Sequence, residues 1–169
     1  LENYVELVRQ LSEEKWIRQI KIFCSANETE QSGVFAGRPK VRVLAQLPIE
    51  ETIARLAESR IVISNDSFGA HLASYLQIPL IAIYSGQTRL LEWKPSFGPT
   101  AILSPDQYCS QCNQAKRCAS MRTPACLQKI KPEEVLAEVG KILSNTVVMG
   151  KKTNKVMLMD NIMIDNPLC

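Results

Sequence analysis

The only histidine of this 169-residue chain follows a short polar turn between two apolar segments. The turn "NDSFG", residues 65–69, comes directly after the β-branched run "RIVIS", and His71 comes two residues later. Oxygen atoms of these side chains would bond sugar hydroxyls, and a helix beginning near Gly69 would point backbone N–H groups at an anion such as a diphosphate. The same residue types also serve as an ordinary helix cap, and a histidine in an apolar helix is commonly a core residue.

A second polar turn, "SGQT", follows the apolar run "LIAIY". Gly86 permits close approach of a ligand to the backbone, and Thr88 offers a hydroxyl. In an open parallel sheet, ligands bind outside the carboxyl ends of the strands. The two polar turns are therefore expected to meet at one edge of such a sheet.

The elements that would position these turns alternate between strand and helix. Apolar residues recur at helical spacing over 2–13, and "KPEEVLAEVGKIL" is also typical of a helix. Strand patterns occur at 17–26, 41–46, 60–64 and 80–84, and another short one at "AILS". This order predicts an α/β fold, with a Rossmann-like parallel sheet flanked by helices.

Length and composition fit one domain over residues 1–145, with residues 146–169 as a tail or an edge strand.

The net charge of +3 and the scattered basic residues argue against a nucleic-acid partner. The run "GKKTNK" is expected to be solvated rather than to bind phosphate. No apolar run reaches the ~18 residues that a membrane span needs. The charged start, "LENYVELVRQ", is not a signal peptide and indicates a fragment of a larger protein.

Four of the six cysteines crowd together with the spacing Cys109-x2-Cys112-x5-Cys118-x7-Cys126. Four thiolates would complete a tetrahedral zinc site, although the second pair is wider than in a zinc ribbon. A disulfide-stapled loop and four reduced thiols packing a loop are equally compatible with this spacing. Cys24, within a strand pattern, is expected in the core.

Several of these motifs occur in an order that resembles glycosyltransferase family 9, the lipopolysaccharide heptosyltransferases and their relatives. They are "SNDSFGAHLASYLQIPLIAIYSG", "EWKPSFGP", the cysteine cluster and "IKPEEVLAEV", and the resemblance covers residues 4–143. It implies the C-terminal, donor-binding half of a two-domain GT-B glycosyltransferase. It also implies a nucleotide-sugar donor such as ADP-heptose, a glycan or lipid-linked acceptor, and transfer without a metal. The expected location is cytoplasmic or peripheral to the inner membrane.

The resemblance further implies roles for individual residues. Asp66 would contact the sugar, and Ser67, Phe68 and Gly69 would offer backbone groups to sugar or diphosphate. His71 would orient this turn or contact the donor. The remaining implied contacts with the donor come from Glu28 at the ribose, residues 44–47 at the base, and Gly86 and Thr88.

This chain departs from the family pattern in two turns. Phe68-Gly69 replaces the usual Gly-Pro, which predicts a narrowed or reshaped sugar pocket, and 85–88 replaces a Gly-Pro-Thr loop. The family's catalytic base belongs to an N-terminal acceptor domain that would precede residue 1. The isolated chain is therefore expected not to catalyse transfer. The rival hypotheses are a sugar-nucleotide-binding module that does not catalyse transfer, and a metal or redox module built on the cysteines.

Overall fold

The computed structural model describes residues 1–86, 90–105, 125–149 and 160–165, and these form an α/β sheet with helices packed on both faces. Its strands are β1 (Ile17–Cys24), β2 (Val41–Ala45), β3 (Ile61–Asn65), β4 (Leu80–Ile83), β5 (Thr100–Leu103) and β6 (Asp160–Asp165). Its helices are α1 (Glu2–Glu13), α2 (Thr29–Ser32), α3 (Ile49–Ala57), α4 (Phe68–Tyr75), α5 (Leu90–Trp93), α6 (Ala125–Lys129) and α7 (Pro132–Met149), with 3-10 turns at Ala26–Glu28 and Gly33–Phe35. The fold class predicted from the sequence is confirmed.

The strands are ordered β2-β1-β6-β3-β4-β5, and each neighbouring pair is parallel. When the strands of a doubly wound sheet are numbered in the order of the sequence, their spatial order across the sheet is 3-2-1-4-5-6. Here β6 therefore occupies the central position that the first strand holds in that order. The direction of winding changes at this strand, so the crevice for a ligand is expected at the carboxyl ends of β1, β6 and β3.

The position of β6 differs from the sequence expectation for residues 146–169. Residues 160–165 form a central strand, not an edge strand or a tail, and α7 continues to Met149. The segment has only three consecutive apolar residues between acidic ones, which is unlike the long apolar run typical of a central parallel strand. The central position of β6 comes instead from its pairing with β1 and β3, which are distant in the sequence. A local sequence pattern cannot show such pairing.

The central strands are buried on both faces, as parallel strands covered by helices must be. On β3, Ile61 and Ile63 pack toward the core that includes α1 and α7. Val62, between them, packs toward the opposite core with residues of α3 and α4. This alternation explains why β3 contains no polar residue before Ser64, near its carboxyl end.

One buried charge joins the sheet to a helix. Lys21 on β1 is almost fully buried, and its Nζ lies 2.7 Å from Glu58 Oε2, just beyond α3. The same Nζ donates to the Arg55 carbonyl oxygen at 3.3 Å. Hydrogen bonding to Lys21, followed by the Coulombic attraction of its ammonium, lowers the pKa of Glu58. The Lys21–Glu58 pair therefore holds the carboxyl end of α3 beside β1.

The loop before β5 is fastened to α4 through Ser74. Phe97 N–H donates to Ser74 Oγ at 2.9 Å, and that hydroxyl donates to the Phe97 carbonyl oxygen. Gly98 follows with a φ of +69°, and a Cβ there would lie 2.9 Å from Gln77 Cα. The sequence "PSFGP" thus needs glycine for two reasons, its left-handed backbone and its close contact with the backbone that follows α4.

We predict that Gly98→Ala lowers the free energy of unfolding by roughly 1–3 kcal/mol, because alanine is strained at positive φ and would contact backbone atoms that cannot move aside. Gly140→Ala is the matched control. Gly140 lies within α7 with nothing within 4 Å of a built Cβ, so alanine is expected to raise stability by about 0.5–1 kcal/mol. Urea unfolding measures the free energy of unfolding of both variants. Equal changes in the two variants would contradict the role assigned to Gly98.

Candidate functional site

A cleft of about 680 Å³ opens at the carboxyl edge of the sheet. One wall is formed by the ends of β1 and β2, and the other by the first residues of α4. Its lining residues are Phe23, Cys24, Ser25, Ala26, Glu28, Leu44, Gln46, Leu47, Ile49, Thr52, Ser67, Phe68 and Gly69. The cleft therefore lies where the topology of a doubly wound sheet predicts a ligand.

The α4 wall presents the start of a helix. Ser67 is the N-cap residue, and its Oγ accepts from Ala70 N–H at 3.4 Å and shares a hydrogen bond with Ser64 Oγ at 2.9 Å. Phe68 and Gly69 form the first turn, whose N–H groups have no carbonyl partner within the helix. The Ser67 side chain thus acts as a cap, while the backbone of the turn provides partial positive charge at the cleft.

The β1 wall presents a carboxylate. Glu28 Oε2 accepts from both the N–H and the Oγ of Ser25, each at 2.7 Å, in a capping box that closes the 3-10 turn after β1. Glu28, which follows β1, lines the cleft together with Phe68 and Gly69, which begin α4. The structure thereby brings together four of the residues singled out in the sequence, Glu28 and the run 67–69.

The floor of the cleft is apolar, and one of its residues has an unusual backbone. Phe23, Leu44 and Leu47 line it, as does Gln46, which adopts a φ of +55°. Gln46 N–H donates to the Cys24 carbonyl oxygen at 3.2 Å, and its Nε2 donates to Thr29 Oγ1 at 3.3 Å. A non-glycine residue at positive φ is uncommon and is over-represented at functional sites. No local sequence signal marks this conformation.

Asp66 of the polar turn and His71 of α4 are not among the lining residues of the cleft. Asp66 is exposed, and His71 is exposed on α4, so the sequence alternative of a buried core histidine is wrong. Neither side chain is in the lining set with Phe68 and Gly69. Their roles toward a sugar remain predictions.

Asp66 influences a buried phenol that holds the next loop. Tyr84 follows β4, and its hydroxyl donates to the Trp93 carbonyl oxygen at 3.1 Å. Burial, and secondarily the negative charge of Asp66, raise the pKa of Tyr84 to about 12. The Trp93 side chain itself is exposed. Sequence reasoning missed Tyr84 because it is indistinguishable from the apolar residues of its strand pattern.

The second polar turn is fastened by a cysteine. The buried thiol of Cys126 on α6 accepts a hydrogen bond from Gly86 N–H at 3.4 Å. Thr88, Cys109, Cys112 and Cys118 lie outside the described residues, so the predicted zinc site stays a prediction. Within the part of the chain that is described, no group of three or more potential metal ligands occurs.

The family follows from a comparison with protein-family models. Residues 1–122 match the model described as Glycosyltransferase family 9 (heptosyltransferase). The chain belongs to glycosyltransferase family 9. The matched range contains β1 to β5, both walls of the cleft and the polar turn at 66–69, so the resemblance drawn from the motifs is confirmed.

Other comparisons add nothing to this family assignment. Neither the search of curated proteins nor the search of solved structures found a match. Across the described ranges, no helix is both long enough and apolar enough to span a bilayer.

We predict that spectrophotometric titration will show a tyrosine step with a pKa near 12 that is absent in Tyr84→Phe. Asp66→Asn is expected to lower this pKa because it removes a negative charge that opposes the phenolate. The pKa should stay above the ordinary value of 10, because burial is the larger cause. An unchanged Tyr84 pKa in Asp66→Asn would show that the two groups are not coupled.

Proposed function

We propose that this chain binds the nucleotide-sugar donor of a family 9 glycosyltransferase. The donor is ADP-heptose or a similar sugar nucleotide, and the acceptor is lipopolysaccharide or another glycan. The observation that carries the proposal is the cleft at the carboxyl edge of the sheet, which is lined by the start of a helix, by Glu28 and by several apolar residues. Its volume lies within the ~300–1,000 Å³ usual for small-molecule sites.

Each part of a nucleotide sugar has a chemically suitable surface in this cleft. The first-turn N–H groups of Phe68 and Gly69 and the dipole of α4 suit the diphosphate. The Glu28 carboxylate has acceptor capacity beyond its bonds to Ser25, and ribose hydroxyls are donors for it. The apolar side chains of Leu44 and Leu47 suit the face of a base.

The transfer itself has a simple balance of atoms. The oxygen of an acceptor hydroxyl bonds to the anomeric carbon while the bond from that carbon to the diphosphate oxygen breaks. The nucleoside diphosphate leaves, and the hydroxyl proton passes to a base. In this chain the start of α4 would stabilise the charge on the departing diphosphate. The base belongs to the acceptor domain that we propose completes a GT-B enzyme, so the chain alone is proposed to bind without transfer.

Phe68 stands where the family pattern has glycine, and it shapes the proposed sugar pocket. Its side chain is 64% exposed at the rim of the cleft, next to the buried Gly69. An aromatic ring at this position reduces the room beside the diphosphate and offers a face for an apolar side of the sugar. We propose that Phe68 selects which sugar conjugate the cleft accepts.

The test is calorimetric titration of the chain with ADP, UDP and their sugar conjugates. Glu28→Gln keeps a side chain able to form the capping box but loses the charge, and we expect about tenfold weaker binding of both nucleotide and conjugate. Glu30→Gln, an exposed acid outside the cleft, is the matched control and should bind as wild type does.

Asp66→Ala separates the sugar contact from the nucleotide contact. If Asp66 holds the sugar, the variant binds the sugar conjugate several-fold more weakly and ADP unchanged. No binding of any of these nucleotides by the wild-type chain would contradict the proposed function.

A further inference from the structure

The outward face of α4 exposes aromatic rings, where a surface helix usually exposes charged residues. Phe68, His71 and Tyr75 are exposed, Phe68 at 64% and Tyr75 at 72%. Their spacing of three and four residues places them along one face of the helix. The buried residues of α4 lie on its other face and are Gly69, Ala70, Ala73 and Ser74. The helix contains no Asp, Glu, Lys or Arg, so this exposed face is aromatic and carries no acidic or basic side chain other than His71.

Phe97, in the loop before β5, extends this face. Its side chain is 59% exposed, and its ring meets the Tyr75 ring edge to face, with centroids 6.4 Å apart and planes at 85°. The backbone N–H and carbonyl of Phe97 are both bonded to Ser74 Oγ, which fastens the loop to α4. The ring is therefore held beside Tyr75 in the free chain, and a partner would bind it at a small cost in conformational entropy. Phe68, His71, Tyr75 and Phe97 are here called the aromatic stripe.

The aromatic stripe begins in the cleft. Phe68 is one of the residues that line the cleft. At a rise of 1.5 Å per residue, Tyr75 lies about 10 Å further along α4. Because α4 follows β3 and leads back to the parallel strand β4, the stripe runs away from the carboxyl edge of the sheet. A glycan whose reacting hydroxyl lies in the cleft would place its remaining sugars along this surface.

The chemistry of the stripe suits sugar rings. The face of an aromatic ring is the negative pole of its quadrupole, and the C–H groups on one side of a sugar ring carry partial positive charge. The Tyr75 hydroxyl and the His71 ring nitrogens can bond the sugar hydroxyls at the edge of such a stack.

Two other kinds of partner fit the stripe less well. Its exposed side chains offer on the order of 500 Å², whereas a stable protein interface buries about 800 Å² on each partner. A membrane surface attracts aromatic residues that are accompanied by several basic ones, and α4, which carries three of the four rings, has no Lys or Arg.

We propose that the aromatic stripe binds the glycan acceptor through the apolar faces of its sugar rings and leads its reacting hydroxyl to the cleft. The acceptor is then an oligosaccharide, since the stripe is longer than one sugar ring. This inference rests on the proposed function, because it takes the cleft as the site of the donor.

The first test is a ¹H–¹⁵N titration of the full chain with lipid-free core oligosaccharide from lipopolysaccharide, without nucleotide. We expect saturable shifts in the backbone amides of His71, Tyr75 and Phe97. Tyr75→Leu removes the ring but keeps an apolar side chain, and it should weaken binding roughly three- to tenfold. Tyr75→Phe is the matched control, which keeps the ring and should bind within about twofold of wild type. Both substitutions are at an exposed position and are expected to leave the unfolding temperature nearly unchanged.

Two results of this titration would overturn the proposal. One is the absence of saturable shifts along the stripe up to millimolar oligosaccharide. The other is equal affinity of Tyr75→Leu and Tyr75→Phe, which would show that the aromatic ring does not carry the binding.

The second test asks whether another partner occupies the stripe. Flotation with phosphatidylglycerol vesicles and sedimentation velocity are each carried out on the wild-type chain and on Tyr75→Leu. We expect the same result for both proteins in each measurement. Vesicle binding or dimer formation that Tyr75→Leu abolishes would overturn the proposal and assign the stripe to a lipid surface or to a second copy of the chain.

The titration of the cleft with ADP keeps this inference separate from the proposed function. Oligosaccharide binding at the stripe without ADP binding would contradict the proposed donor site. Binding of ADP without binding of the oligosaccharide would contradict the aromatic stripe and leave the donor site in place.

Discussion

The parallel pairing of β6 with β1 and β3 is the interaction on which the rest of the described structure depends. The two walls of the cleft lie on opposite sides of this strand, one following β1 and β2 and the other following β3. Backbone hydrogen bonds set the spacing between neighbouring strands, so the width of the cleft follows from β6 and not from contacts between the walls. Both walls lie at one edge because all the neighbouring strands are parallel, and the change of winding direction opens the crevice between them.

The chemistry at that edge follows from where strands end and helices begin. The N–H groups at the start of α4 provide partial positive charge, and Glu28 and several apolar residues line the same cleft. Beside the cleft, the Tyr84 hydroxyl and the Cys126 thiol fasten the chain after β4 through backbone bonds to Trp93 and Gly86. None of the four residues in these contacts lines the cleft. The family match covers both walls, and glycosyl transfer is the activity of that family.

Local patterns were sufficient for much of the fold. The buried runs that became β3 and β4, the periodicity of α1 and the polar turn before α4 are each visible within a few residues. β6 was placed incorrectly because a six-residue strand with acidic ends has no local signal for a central position. The left-handed backbone of Gln46, the Cys126–Gly86 bond and the burial of Tyr84 also depend on partners distant in sequence. The roles of Asp66 and His71 toward a donor stay predictions that come from the family resemblance, since spacing alone favours a helix cap and a core residue.

The most direct test of the account is a ¹H–¹⁵N spectrum of the chain recorded during titration with ADP. The account predicts saturable shifts in the backbone amides of Phe68, Gly69, Glu28 and Gln46, with small changes in α7 on the far side of the sheet. Saturable binding whose shifts cluster away from the cleft, for example around Tyr75 and Phe97, would contradict the assignment of the cleft as the donor site.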